Sequence, residues 1–329
     1  MTRSPSIRRP KLAHVAMAAG VSLGTASDAL RGKGRMSEDT RRRVMSAAEQ
    51  MGYRPNANAR ILALGHSQIV ALVAHGPGTS AAPRIYWPRL QATFTERLLE
   101  QGMVACTMTL TDLHKLDGLP FDLIVFAGLD SSDSLPEQIR SDYRVFEIDL
   151  VGEGRIARSL RDQLAGACRA ALDHLVESGV RRPGLVFAGD TGAAARLLYE
   201  SWCAERGVMA SLTDAADPTG RSEALIAAAG DGVDGFFSVL AEGRWLGDVL
   251  AALDATTEPR PVIALGPVPD RGAVPVGFAS LVPDGQNLGE QLADAAIAVL
   301  RGSRPPDISL EFLLDGAPFP AAGLNILAE

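Results

Sequence analysis

The chain has 329 residues, of which 47% are hydrophobic, so it is long enough for two or three domains with hydrophobic cores. No apolar run reaches the roughly 18 residues that span a bilayer, and no apolar segment follows the basic start. We therefore expect a cytoplasmic protein with neither a membrane-spanning segment nor a secretory signal. Three scattered cysteines, Cys106, Cys168 and Cys203, fit buried free thiols in a reducing compartment.

The net charge of −7 conceals two segments of opposite sign. Residues 1–66 carry 12 Lys and Arg against 4 Asp and Glu, whereas the remainder carries 20 against 35. A basic segment joined to an acidic one predicts a polyanionic partner for the basic segment alone, because the acidic part would repel it.

Two short helices separated by a glycine are predicted in the basic segment. Apolar residues recur at helical spacing over residues 11–19, and Gly20 ends this helix. Ser22 can cap a second helix over residues 22–30, which is rich in small residues. Two short helices joined by a glycine-containing turn form a helix-turn-helix. The residues predicted to face inward are Leu12, Val15, Ala16, Ala19, Ala26, Ala29 and Leu30.

A basic loop over residues 31–36 leads to a third predicted helix, which Ser37 caps. The predicted apolar stripe of this helix consists of Val44, Ala47, Ala48 and Met51. The arginines at positions 41 to 43 either contact the polyanion or form a solvated helix surface. After Gly52, the sequence YRPNANARILALG predicts a further helix of about two turns, which would be marginal alone in water.

Residues 10–74 resemble the DNA-binding head and hinge of the lactose-repressor/galactose-repressor family of bacterial transcription regulators. The resemblance rests on the segments LAHVAMAAGVS, TASDAL and SEDTRRRV, followed by the hinge sequence MGYRPNANARIL. It implies a regulator that binds double-stranded operator DNA as a homodimer, in the cytoplasm and on the nucleoid. It also implies that the chain is not an enzyme and needs no cofactor.

The resemblance assigns DNA contacts by position. Leu23, Gly24 and Asp28 occupy the base-reading positions of the second helix. Many relatives carry arginine where this chain has Asp28, which can only accept a hydrogen bond, for example from a cytosine amino group. Base readout is therefore either thinner than usual or shifted to contacts of Leu23 with thymine methyl groups. The residues implied to contact phosphates or the groove are Ser22, Thr25, Ser27, Arg31, Arg35 and Ser37.

The resemblance further implies a hinge helix that forms on the DNA. Leu62 matches the residue that wedges into the minor groove. Such a wedge costs unstacking energy but bends the duplex and widens the contact with the protein. The other hinge residues implied to lie at the DNA are Tyr53, Asn56, Ala59 and Arg60.

From Gln68 onward, apolar runs alternate with amphipathic segments. The predicted strands are 69–74, 104–110, 122–128, 144–150, 184–189, 235–240 and 261–266. The predicted helices are 89–101, 162–178, 193–206, 221–229 and 243–254. This alternation predicts an α/β fold with parallel sheets covered by helices, and the strands are numerous enough for two similar lobes.

This part resembles the effector domain of the same family, which has the two-lobed fold of a periplasmic sugar-binding protein. The expected domains are residues 1–53 for the all-α helix-turn-helix head, 54–67 for the hinge helix and linker, and 68–329 for effector binding and dimerisation. Lobe 1 is expected at about 68–155 and 284–305, and lobe 2 at about 156–281 and 306–329. The expected crossings between lobes are near 151–161, 280–286 and 303–309. Residues 110–121 are short for the family, so one helix of lobe 1 is expected to be trimmed or missing.

The effector pocket departs from the family pattern. Relatives that bind sugars carry polar residues where this chain has Ala241 and Glu242, and again where it has the run from Gly266 to Pro269. One interpretation, slightly favoured, is a small-molecule effector that is not a sugar and is anionic. The other is a pocket without an effector, in which Arg196 and Arg221 form surface ion pairs. The residues expected to line the pocket are Tyr86, Trp87, Arg196, Arg221 and Glu242.

Rival functions have little support in the sequence. The run from Gly230 to Gly235 fits GxGxxG, but it precedes a predicted strand and follows a helix, which is the reverse of a dinucleotide site. No metal-ligand spacing and no nucleophile-base pattern is visible. A solute-binding protein without a DNA role is the second hypothesis, and an enzyme on a doubly wound fold is the third.

Overall fold

The computed structural model describes residues 10–30, 32–53, 66–74, 86–116, 120–128, 135–149, 155–215, 217, 220–239, 260–265, 277–314 and 317–319. The chain divides into two compact units, Met1–Ser67 and Gln68–Glu329. Within the described residues, no helix is both long and apolar enough to cross a membrane.

The first unit is a bundle of three helices, as predicted. They are α1 (Leu12–Ala19), α2 (Leu23–Leu30) and α3 (Glu38–Gln50). Their shared core, here the first-unit core, consists of Val15, Ala16, Ala19, Ala26, Ala29, Val44, Ala47 and Ala48. Leu12 and Leu30 are only partly buried against it. The prediction for Met51 is wrong, because this residue follows the last turn of α3 and is 38% exposed.

The three helices end in the same way. Each is followed by a glycine in the left-handed region, namely Gly20, Gly32 and Gly52, with φ of 64°, 69° and 60°. The N–H of the next residue donates to a carbonyl five residues back, which is the Schellman pattern. These bonds run from Val21 to Ala16 (3.0 Å), from Lys33 to Asp28 (2.9 Å) and from Tyr53 to Ala48 (2.8 Å). The conformation at each glycine is one that other residues adopt only with strain.

The second unit contains two sheets. The first has the order β2-β1-β3-β4, with every pair parallel. Its strands are β1 (Ile69–Ala74), β2 (Val104–Thr109), β3 (Leu123–Gly128) and β4 (Val145–Asp149). Its helices are α4 (Tyr86–Glu100) and α5 (Glu137–Asp142). Between β2 and β3 lies a short 3-10 helix, Leu110–Leu116, in the segment expected to be trimmed.

The second sheet has the order β11-β10-β9-β8-β7-β5-β6. Its strands are β5 (Pro183–Phe187), β6 (Leu212–Asp214), β7 (Gly235–Val239), β8 (Val262–Leu265), β9 (Phe278–Pro283), β10 (Phe312–Leu314) and β11 (Ala317–Phe319). The remaining helices are α6 (Arg155–Glu177), α7 (Gly189–Arg206), α8 (Arg221–Gly230) and α9 (Gly285–Leu300). Pairs β5 to β9 are parallel, whereas β10 is antiparallel to both β9 and β11.

The predicted strands from 69 to 266 are all present, so the predicted fold class of two parallel sheets is confirmed. The expected crossing near 151–161 falls on the start of α6 at Arg155 and on residues outside the described set, so it stays a prediction. The other two expected crossings fall where β9 leads into α9 and where α9 leads on to β10. The predicted helix over 243–254 and the hinge helix lie outside the described residues.

Helix α9 packs against α4 at very short range, because two glycines face the α4 backbone. A Cβ built on Gly285 would lie 2.1 Å from the carbonyl oxygen of Tyr86. A Cβ built on Gly289 would lie 2.7 Å from the carbonyl oxygen of Leu90. Neither backbone oxygen can move aside without shifting α4.

We therefore expect Gly289→Ala to destabilise the second unit. Overpacking of a tight contact costs about 1–3 kcal/mol, measured as the shift in chemical denaturation. The matched control is Gly230→Ala at the end of α8, where a Cβ meets no atom within 4 Å. Equal stability of the two variants would show that α4 and α9 are not in close contact.

Two cysteines lie in the core between α6 and α7. Cys168 and Cys203 are buried, whereas Cys106 on the edge strand β2 is only half-buried. Burial raises the pKa of the Cys168 thiol to about 12 and raises the pKa of the Cys203 thiol as well. Both thiols are therefore protonated at neutral pH.

Because the thiolate is the nucleophile, we expect Cys168 to resist N-ethylmaleimide in the native protein at about pH 8. In denaturant, the same residue should label fully. Peptide mass spectrometry after timed labelling measures this, with Cys106 as the internal comparison. Native labelling of Cys168 as fast as that of Cys106 would contradict its burial.

Candidate nucleic-acid interface

Helix α2 combines an inner face of alanines with an outer face of exposed residues. Ala26 and Ala29 are buried in the first-unit core, whereas Leu23 is 54% exposed and Gly24 is exposed. The outer face thus carries one apolar side chain and little bulk. A helix with this profile can approach another surface closely along its outer face.

The amino termini of α2 and α3 are built alike. The Ser22 hydroxyl accepts from the Thr25 N–H (3.1 Å), and the two hydroxyls lie 2.9 Å apart. Ser37 makes the same contacts with Thr40, at 3.2 Å and 2.9 Å. Both serines are therefore helix caps, as predicted, and both are exposed at a helix end that favours anions.

Among the described residues of the first unit, the basic side chains of α3 differ from those of the loop that precedes it. On α3, Arg41, Arg42 and Arg43 each lie 3.8 Å from a carboxylate of the first turn, either Glu38 or Asp39. In contrast, Lys33 and Arg35 lie in the exposed loop between α2 and α3. Neither of them forms an ion pair among the described residues. Among the described residues, the loop thus carries positive charge that no carboxylate neutralises, in contrast to α3.

The structure places some of the predicted DNA-contacting residues and leaves others outside its description. Thr25, Ser27 and Asp28 are half-buried on α2, and Tyr53 packs against the first-unit core. The candidates outside the described residues are Arg31, Asn56, Ala59, Arg60 and Leu62. Tyr53 therefore has a packing role that explains its position without any ligand.

The residues expected to line an effector pocket are held by different elements. Tyr86 is buried at the start of α4, and Trp87 packs against the core of the second unit. Arg196 lies on the exposed face of α7, where its Nε is 2.9 Å from a Glu200 carboxylate oxygen. Arg221 is the first residue of α8 and is half-buried. Glu242 lies outside the described residues, so effector binding by this set stays a prediction.

Two further sequence features have structural roles. The run from Gly230 to Gly235 is the turn between α8 and β7, as predicted. Within it, the Asp234 carboxylate accepts from the backbone N–H groups of Arg181 and Arg182 at 2.8–3.1 Å. Asp284 caps α9 by accepting from the N–H of Gln286 (2.9 Å).

Two glutamines, which the sequence did not single out, hold the segment that joins α9 to β10. The Gln291 amide accepts from the Ser309 N–H (2.8 Å) and donates to the Ser309 carbonyl (2.9 Å). The side-chain amide oxygen of Gln163 on α6 accepts from the next backbone N–H, that of Leu310 (2.5 Å). This connection is therefore tied both to α9, which packs on α4, and to α6, which packs against both sheets.

We expect Gln291→Ala to loosen this connection. The exposed Ser309 backbone can turn to water, so the loss of free energy of unfolding should be about 1 kcal/mol. Amide hydrogen exchange of residues 303–310 should accelerate more than the global change explains. Gln286→Ala on the same helix is the control, because its amide reaches only Glu290 at 3.5 Å. Unchanged exchange at Ser309 in Gln291→Ala would contradict the contact.

Comparison with known proteins places these features among relatives. The model of the lacI family, described as bacterial regulatory proteins, matches residues 11–56. The HTH-type transcriptional regulator DegA of Bacillus subtilis (strain 168) is 33% identical over 144 residues, or 39% of this chain and 40% of DegA. The HTH-type transcriptional regulator CelR of Thermobifida fusca is 29% identical over 189 residues, or 53% of this chain and 54% of CelR. The chain thus aligns with about half or less of the length of these relatives.

Two solved structures are similar over nearly the whole chain. A CelR–cellobiose complex is 21% identical, with a TM-score of 0.58, and the match covers 93% of this chain and 98% of that one. A lac repressor dimer bound to operator and the anti-inducer ONPF is 15% identical, with a TM-score of 0.68, covering 92% and 98%. At these identities the likeness establishes the fold, and it agrees with the helical first unit and the two-sheet second unit.

Proposed function

Because the chain belongs to the lacI family of bacterial regulatory proteins, we propose that it is a sequence-specific DNA-binding transcriptional regulator. The observation that carries the proposal is the helix-turn-helix of α1 and α2 within the residues that the lacI family model matches. The basic balance of residues 1–66 supports it, since duplex DNA attracts such a surface. Its site of action would then be the cytoplasmic nucleoid.

In this proposal, α2 enters the major groove with its outer face. The helix can approach the base edges because Gly24 has no side chain and that of Ser27 is short. Leu23 contacts thymine methyl groups. The caps Ser22 and Ser37 bring helix N-termini to phosphates, which fits the preference of these ends for anions. Lys33 and Arg35 supply charge from the adjoining loop. Phosphate contacts of this kind set position rather than sequence.

We further propose that two copies pair through their second units and present two heads to a pseudo-palindromic operator. Leu62 of each copy would wedge into the minor groove at the centre and bend the duplex. A repressor of this kind responds to a ligand between its lobes by changing the spacing of the hinges.

Two arrangements of the effector pocket follow from the residues. The related structures hold cellobiose in one case and ONPF in the other, both of which need convergent polar groups. This chain has an i,i+4 ion pair at Arg196 and a helix cap at Asp284. A non-sugar, anionic ligand bound near Arg221 is slightly favoured, and a pocket without an effector is the alternative.

The DNA-binding proposal predicts a steep dependence of affinity on salt. For about 6–10 neutralised phosphates, affinity for a selected duplex should fall by about 10³–10⁵ between about 50 and 200 mM salt. Replacement of Arg35 by alanine should weaken binding to all duplexes and lower the slope by about one. Arg301→Ala, on an exposed arginine of the second unit that contacts Gln101, is the control and should change neither. Salt-independent binding, or the same slope in Arg35→Ala and the wild type, would contradict the proposal.

Ligand specificity can be tested by thermal unfolding with sugars, sugar phosphates, nucleobases and carboxylates. A compound that binds only the native state must raise the midpoint. A hit among anions that Arg221→Ala abolishes is the expected result. A hit among neutral sugars would overturn the anionic assignment, and no hit at all would favour the effector-free alternative.

A further inference from the structure

Asp28 sits at a base-reading position of α2 but lies against the loop that follows the helix. The side chain is half-buried. A Cβ built on Gly34 would lie 3.1 Å from the Asp28 Cβ and 3.3 Å from its Oδ2. The Asp28 side chain therefore occupies the space beside Gly34 into which a Cβ at that position would project. The same point is 3.3 Å from the Met36 Cε, so Gly34 is enclosed between the two side chains.

The end of α2 differs from the ends of α1 and α3 in one respect. After Gly20 and Gly52, the next residue is apolar or aromatic, and both Val21 and Tyr53 pack against the first-unit core. After Gly32, the next residue is Lys33, which is exposed. A hydrophobic contact of that residue commonly accompanies the Schellman motif, and here it is absent. The loop must be held by other contacts.

Asp28 and Met36 supply those contacts. The Asp28 carbonyl accepts from the Lys33 N–H at 2.9 Å, and its side chain covers Gly34. Met36 packs against the first-unit core just before the Ser37 cap. Gly34 has φ of 85°, so the backbone there is in a conformation that suits glycine. Asp28 therefore meets the loop twice, through its backbone carbonyl at Lys33 and through its side chain beside Gly34.

From this geometry we infer that Asp28 is a positioning residue for the basic loop Gly32–Met36 and does not read a base. The inference rests on the proposed DNA-binding function. The short aspartate side chain is directed to Gly34, which sets where Lys33 and Arg35 meet the phosphates. Base reading by α2 is then confined to its first turn, at the positions of Leu23 and Gly24. A carboxylate that instead accepted from a cytosine amino group would have to face the groove.

The test compares Asp28→Ala with Asp28→Asn in the full chain. Both variants remove the negative charge and with it the repulsion of phosphates, so their difference isolates the shape of the side chain. Asparagine keeps both the Cβ and an atom at the Oδ2 position beside Gly34, whereas alanine keeps the Cβ and loses the Oδ2 position. We expect Asp28→Ala to bind every duplex about three- to tenfold more weakly than Asp28→Asn, with a salt slope lower by about one.

The preferred base distinguishes base reading by Asp28 from a role in loop position. A residue that only holds the loop does not change which base is preferred. Wild type, Asp28→Asn and Asp28→Ala are each used to select duplexes from a randomised pool. We expect all three to recover the same half-site. A change of preferred base in Asp28→Asn would overturn the inference, because an amide donates where a carboxylate accepts only. Equal affinities of the two variants would overturn it as well.

A measurement without DNA separates this inference from the proposed function. Amide hydrogen exchange over residues 32–37 should accelerate in Asp28→Ala and match the wild type in Asp28→Asn. If the loop responds in this way but the wild type selects no sequence, the proposed function fails while the contact stands. If the wild type selects a half-site but loop exchange is the same in all three proteins, the inference fails and the proposed function stands.

Discussion

The first unit depends on how closely three helices approach one another. Its core contains two valines, Val15 and Val44, and otherwise only alanines. Side chains this short fill the interior only when the helix axes are close, so the interior itself holds α2 near α1 and α3. Larger residues there would push α2 outward or strain its neighbours. The outer face of α2 is left exposed by this packing, because α2 contacts α1 and α3 through its inner face.

Loop geometry follows from the same arrangement. Helices that pack so closely must be joined by abrupt reversals, and the left-handed glycines Gly20, Gly32 and Gly52 provide them. Two of these reversals return an apolar residue to the core. The third sends Lys33 to the surface, where its charge is available for a polyanion. The three turns thus differ in that two return a side chain to the core and one leaves a charged side chain exposed.

Close packing recurs in the second unit on a larger scale. Gly285 and Gly289 bring α9 against the backbone of α4, and α9 lies between two connections that join it to the second sheet. These connections, together with α6, join the elements of the two sheets. Gln163 and Gln291 hold one of them to helices on either side. They therefore fix the course of the chain between α9 and β10.

Much of the architecture could be predicted from local patterns. The buried strands from β1 to β8 were found where they form continuous apolar runs, apart from β6, which has only three residues. Helix α9 was missed, because its two glycines look unfavourable until their contact with α4 is known. The glutamine contacts with Ser309 and Leu310 join residues 18 and 147 positions apart, so no local pattern reveals them.

The individual side chains of the site were harder to predict than the fold. Arg196 looked like an anion ligand in sequence, but one turn along the same helix Glu200 pairs with it. Asp28 was assigned to base reading by position, yet the loop that it contacts is six residues further along the chain. In both cases the partner decides the role, and the partner becomes visible only once the helix and its loop are in place.

Chemical protection of a selected duplex by the full chain tests the central claim most directly. Dimethyl sulfate methylates guanine N7 in the major groove and adenine N3 in the minor groove. The account predicts protection of guanine N7 from dimethyl sulfate, or of flanking thymines from permanganate oxidation, in two half-sites related by a dyad. It also predicts minor-groove protection between the two half-sites. Protection of adenine N3 alone, or no protection by a folded protein that binds the duplex, would contradict the claim that α2 enters the major groove.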